Sequence, residues 1–298
     1  MPPLRRSPDR VLEGAYAVAG LLVVAGLVHL GVQAVAGGPW SGPVSWRKPV
    51  TFGLSFGVTL ATVTWVSSLT PLTPSRRRAL VLAWTVASVV EDVAITAQAW
   101  RHQASHFNID GVVNSAFAFS AAAGGAVFVV SVAVLAVAAG RGRHDLEPGT
   151  RFAVRAGVGT LAVGVGLGAA MIALGTAAGR SRTLADAYAA SGPLKAAHGM
   201  FLHGVLVLVV AARLAERTGW SARQQLRAAR TAAGGFVVAA AGAGLLAGGA
   251  PGPAPLVAVM VAVTAAGALA LTGVGVVTVH RAIGPAAGTV REGERPGG

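Results

Sequence analysis

The sequence predicts an all-α fold: a polytopic bundle of about eight transmembrane helices with both termini in the cytoplasm. Three observations predict it. The 298-residue chain is 54% hydrophobic and only 12% charged, whereas soluble domains carry about 25% charge. Apolar runs of about 20 residues recur along its length, each long enough to cross a bilayer core as a helix. The 24 Lys and Arg stand in short clusters between those runs. The net charge of +13 therefore reads as membrane orientation, not nucleic-acid binding. There are no cysteines, which removes disulfides, thiolate metal sites and a Cys nucleophile.

A single domain, 1–283, accommodates the spans. The first, 11–36, is longer than a signal-peptide core and reads as a retained helix. GGPWSGP breaks the chain before the second, 50–71, and TPLTPS before the third, 77–99. The polar stretch RHQASHFNID separates the third from the fourth, 112–139, and RGRHDLEPG precedes the fifth, 152–178. In the fifth, Gly164 and Gly168, then Gly175 and Gly179, are spaced by four, which reads as close packing within the bundle rather than a dimer face. The sixth is 194–214, the seventh 231–249, and GGAPGPAP introduces the eighth, 254–279. The Gly/Pro-rich, charged segment 284–298 is expected to be a disordered tail.

Orientation follows from counting. With the N-terminus inside, eighteen Lys and Arg fall in cytoplasmic segments and six outside: Arg47, Lys48, Arg101, Arg180, Arg182 and Lys195. Such a bias satisfies the positive-inside rule. Trp40, Trp46 and Trp100 then lie at the outer interface and Trp220 at the inner one, as aromatic anchors do.

This topology gathers the unusual polar residues on one side. His29, Lys48, Glu91, Asp92, Gln98, Arg101, His102, Ser105, His106, Lys195, His198 and His203 all fall in the outer half. Ionisable groups inside a span cost several kcal/mol and mark function. Trp84, Glu91 and Gln98 are seven apart, on one face of the third span, and His102 joins that stripe if the helix continues. Asp110, just before the fourth span, is placed to cap it. His198 and His203 are five apart, about 140° around a helix, a poor spacing for two ligands of one metal.

The pattern W46-x-K48-P49-x-x-F52-x-x-S55, E91…Q98-x-x-R101, S105-H106-F107-N108-x-D110 and K195-x-x-H198-G199-x-x-x-H203 resembles a family of bacterial polytopic membrane proteins. The likeness covers roughly residues 45–205. It implies a shared site at Lys48, Glu91, Gln98, Arg101, Ser105, His106, Asn108, His198 and His203; the multi-pass chain itself is expected in the bacterial plasma membrane.

Three chemistries suit these residues. The leading one is a membrane-embedded hydrolase or transferase acting on a lipid or small amphiphile, with Glu91, His106, Ser105, Lys48, Arg101 and Gln98 as catalytic candidates. In its metal-assisted form, zinc or another divalent ion would be held by His106, His198, His203 and Glu91; a general-base form needs no metal. The second is a redox protein with haem b between His29 and His203. The third is a proton-coupled transporter or sensor using Glu91, though the inner halves of the spans offer few polar residues to complete a pathway.

Overall fold

The structure, a computed structural model, describes residues 9–181, 183–249 and 254–283. The predicted disordered tail, 284–298, lies outside them. Among the described residues the chain is helical without strands: α1 (Arg10–Ala36), α2 (Arg47–Ser68), α3 (Pro74–Trp100), α4 (Gly111–Arg141), α5 (Pro148–Ser181), α6 (Leu184–Ser191), α7 (Lys195–Ala215), α8 (Ala222–Ala247) and α9 (Ala254–Ile283). Among the described residues, seven segments are long and apolar enough to cross a bilayer, α6 and α7 counting as one. The predicted eighth span coincides with α9, which is 30 residues long.

Short polar signals set the ends. Asp9 caps α1 by accepting from the Val11 amide at 3.3 Å. Thr73 accepts from the Arg76 amide, and Pro74 sits where its missing N–H costs nothing. α8 begins nine residues before the predicted seventh span. Ser221 and Gln224 form a capping box there, and the Arg-rich first turns extend the helix beyond the apolar run. Sequence reading missed α6 altogether. It is an eight-residue helix opened by a Thr183–Asp186 capping box and joined to α7 through a 3-10 turn at Gly192–Leu194.

Small residues bring the helices close. A Cβ at Gly53 of α2 would stand 2.8 Å from the Gly26 amide nitrogen of α1. The expected stripe on α5 packs within the molecule. Gly164 faces the Leu202 backbone and Gly168 the His198 ring, both on α7, and Gly179 faces Ala187 of α6. Gly175 faces Phe107 in the 101–110 loop. One apolar core joins α1–α5 with α7 around Leu60, Val63, Val81, Leu135, Leu161 and Val209. A second lies between α5, α7 and α8 around Phe201, Leu208 and Phe236. The exterior is apolar as well: Leu21, Val35, Val112, Phe119 and Leu269 are all exposed. Such a surface is compatible with an integral membrane protein, since lipid is as apolar as the core.

Candidate functional site

Successive long helices alternate in direction, so the segments 37–46, 101–110 and 183–194 meet at one end of the bundle. The centre of that end is Lys48, on the first turn of α2. Its ammonium donates to Pro43 O, to Tyr188 Oη at 2.8 Å and to Ser105 Oγ at 3.4 Å. Three acceptors match its three hydrogens. Lys48 and Ser105 are buried, 6% and 4% exposed.

The 101–110 loop is shaped to reach that lysine. α3 stops at Trp100 because His102 takes a left-handed φ of 52°. The Gln103 amide then bonds Gln98 O at 2.9 Å and the His102 amide bonds Ala99 O at 3.0 Å, a Schellman ending formed without glycine. Gln98 is fully buried and braces the loop. It donates to Ala104 O at 3.2 Å and to Asn114 Oδ1 at 3.1 Å, and it accepts from Arg101 at 2.5 Å. Phe107 also holds a left-handed φ, 62°, and its ring wedges against Gly175 and edge-on to Tyr188. Ser105 and His106 lie between these two left-handed residues.

At the centre the hydrogen bonds have a definite order. Tyr188 Oη accepts from the His106 amide at 3.0 Å and donates to His106 O at 3.1 Å. Ser105 Oγ faces Lys48 with its acceptor side and stands 2.9 Å from His106 Nδ1. With the acceptor side occupied, the Ser105 proton is directed to Nδ1. Burial, with help from the Lys48 and Lys195 charges, pushes the His106 pKa down to about 4. The imidazole is therefore neutral at pH 7 with its Nδ1 lone pair available. Phe52, one turn beyond Lys48 on the same face of α2, lies 5.9 Å from the His106 ring.

Of the residues singled out in the sequence, the structure brings Lys48, Ser105 and His106 together and adds Tyr188. Gln98 and Arg101 belong to the neighbouring brace with Asn114. His203 bonds Ser55 Oγ at 3.2 Å on the same face of α2 as Lys48 and Phe52. His198 Nδ1 bonds Gly164 O at 2.8 Å on α5. Glu91 is deeper: it shares the buried face of α3 with Trp84 and Gln98, as the spacing predicts, and its Oε2 lies against Gly124 of α4 without a hydrogen-bond partner. His102 does not extend this stripe, because the helix has ended; it is exposed and edge-on to Trp46. Asp110 occupies the N-cap position of α4, but its side chain makes no capping bond. Instead Asn114 reaches back to Asp110 O at 2.8 Å.

Among the described residues no three His, Asp or Glu side chains gather as a metal-ligand group. His106, His198, His203 and Glu91 each face a different neighbour. His29 has both ring nitrogens engaged, Nδ1 with Ala25 O at 2.8 Å and Nε2 with Trp100 Nε1 at 3.2 Å. An axial haem ligand needs one of them free. No protein-family model, curated protein or solved structure matches the chain.

Proposed function

We propose that the protein is a membrane-embedded enzyme of the bacterial plasma membrane, with both termini in the cytoplasm, that hydrolyses or transfers the acyl group of an ester-linked amphiphile at the outer leaflet. Ser105 is the nucleophile, His106 its general base and Lys48 the positive charge beside the reacting oxygen. The observation that carries this reading is the order of hydrogen bonds at Ser105: ammonium on one side, neutral imidazole on the other. A weak hydroxyl nucleophile needs a base within hydrogen-bond reach.

On attack, the Ser105 Oγ–carbon bond forms as the hydroxyl proton moves to His106 Nδ1. The substrate's carbon–oxygen bond then breaks, and the departing alcohol takes that proton. Water, or an acceptor alcohol, gives its own proton to His106, attacks the acyl carbon and releases Ser105, which recovers the proton. These steps need only Ser105, His106 and Lys48. Ser105 is closed off in this conformation, so the loop opens to admit the head group. His102 and Phe107, in backbone conformations costly for residues other than glycine, are the points where it yields.

The test is covalent labelling. Purified protein in a neutral detergent is treated with an alkyl fluorophosphonate and weighed intact. One adduct is expected, mapping to Ser105, absent in Ser105→Ala and formed about 100-fold more slowly in His106→Ala. An unlabelled wild type, or equal labelling of His106→Ala, would overturn the assignment.

A further inference from the structure

The two ends of the bundle treat their charges differently. At the end where α1 begins, Arg78 pairs with Asp9 at 2.9 Å, Arg143 with Asp145, and Arg213 with Glu216 at 2.6 Å. At the Ser105 end, Arg47, Lys48 and Lys195 make no ion pair among the described residues, although they lie within electrostatic reach of one another. Lys48 and Lys195 both sit over the Tyr188 ring, 4.1 and 5.9 Å from its centre. Mutual repulsion of this kind destabilises the fold unless something negative relieves it.

The same cations have hydrogens to spare. Arg47 uses only Nε, donating to Trp40 O at 2.9 Å. Lys195 is exposed, and its ammonium makes no hydrogen bond among the described residues. Arg47 stands at the start of α2, where the helix dipole adds positive potential, and Lys195 stands on the turn that carries α6 into α7. Beside them, Trp46 and Trp100 pack 4.9 Å apart with His29 against both, and Trp40 and Trp100 are about half exposed. Tryptophans in this setting lie at the depth of lipid head groups.

We infer that Arg47 and Lys195, with Lys48 behind them, form a phosphate-binding site over Ser105, so that the amphiphile is a phosphate-bearing one whose ester is held beside the nucleophile. The inference rests on the enzymatic reading for the word substrate, but the anion site stands on its own geometry. The aromatic belt favours a membrane phospholipid over free phosphate.

The test uses the full chain in neutral detergent and three probes: dihexanoylphosphatidylglycerol, dihexanoylglycerol and inorganic phosphate. The phosphatidylglycerol is expected to bind at least tenfold tighter than the neutral glycerol, with affinity falling as salt rises. Lys195→Gln should lower that affinity fivefold or more, and Lys195→Arg should retain it. The Lys195 ammonium makes no hydrogen bond among the described residues, so its loss does not threaten folding. Equal affinity for inorganic phosphate would support the anion site and move its source from lipid to free phosphate. Equal binding of the neutral glycerol, or an unchanged Lys195→Gln, would overturn the inference. Fluorophosphonate labelling run in parallel separates the claims: Ser105 labelled without anion binding defeats this site alone, and anion binding without labelling defeats the nucleophile alone.

Discussion

Gly175→Ala isolates the contact that holds the reactive loop in place. Gly175 is buried on α5, and a Cβ there would stand 2.2 Å from Phe107 Cζ and 2.6 Å from Cε1. Atoms cannot approach so closely, so the Phe107 ring must swing. It cannot swing freely, because its other side meets Tyr188 at 5.5 Å and its backbone is fixed at a left-handed φ. Two effects oppose each other. Alanine favours a helix over glycine by up to about 1 kcal/mol, and overpacking costs about 1–3 kcal/mol. Gly166→Ala supplies the first effect alone, since nothing lies within 4 Å of its Cβ position on the same helix. The gap between the two variants, about 1–3 kcal/mol in unfolding in detergent, measures the overpacking. Gly175→Ala should also slow labelling of Ser105, two residues before Phe107, whereas Gly166→Ala should not. Adding Phe107→Ala to Gly175→Ala should recover part of the loss, a non-additivity expected of touching residues. If Gly175→Ala matches Gly166→Ala in both stability and labelling, the loop is not positioned through Phe107 and the reasoning fails.

Tyr188→Phe removes the oxygen that Lys48 and the His106 amide both donate to. The buried donors left without a partner should cost about 1–3 kcal/mol, read by unfolding, and Ser105 labelling should drop. Gln98→Leu leaves Ala104 O and Asn114 Oδ1 without the amide that donates to them, and Arg101 without one of its two acceptors, and should destabilise by a similar amount. Because the folded His106 pKa lies near 4, below the ordinary 6.5, the unfolded chain takes up a proton first as pH falls. Stability from this group is full above about pH 6.5 and declines toward pH 4; labelling should fall below about pH 4 as His106 takes up its proton. His106→Gln should flatten both profiles. Ser221→Ala, at the opposite end, should cost about 1 kcal/mol through its lost cap and leave labelling unchanged.

The long helices were legible because each apolar run carries its own signal, and Gly/Pro breaks separate them. The glycine stripe of α5 was legible too, although its partners were not: Gly175 meets a loop some seventy residues away. The helix α6 was not legible. It is short and Ala-rich, and its one sign, the Thr183-x-x-Asp186 box, is weak without an apolar run behind it. Tyr188 was missed with it, since a single tyrosine in ADAYAAS says nothing of a lysine 140 positions earlier. The end of α3 at Trp100 agrees with the predicted bound of 99, but the turn that follows was hidden because His102 takes a conformation that glycine usually announces. Residue types identified the polar end of the bundle, but only the packing of α2 against α6, α7 and the loop separates the Lys48–Ser105–His106–Tyr188 centre from the Gln98–Arg101–Asn114 brace. Periodicity placed Glu91 on the right face of α3 and could not say that its carboxylate faces Gly124, away from the histidines.

A membrane-impermeant, sulfonated fluorophosphonate applied to right-side-out plasma-membrane vesicles tests the whole account at once. It requires an outward-facing loop, a nucleophilic Ser105 and access through the opening of residues 101–110. The expected result is an adduct on Ser105 in sealed vesicles, lost in Ser105→Ala and strongly slowed in His106→Ala. Labelling that appears only after the vesicles are opened with detergent would put the site on the cytoplasmic face, and no labelling in either state would remove the nucleophile.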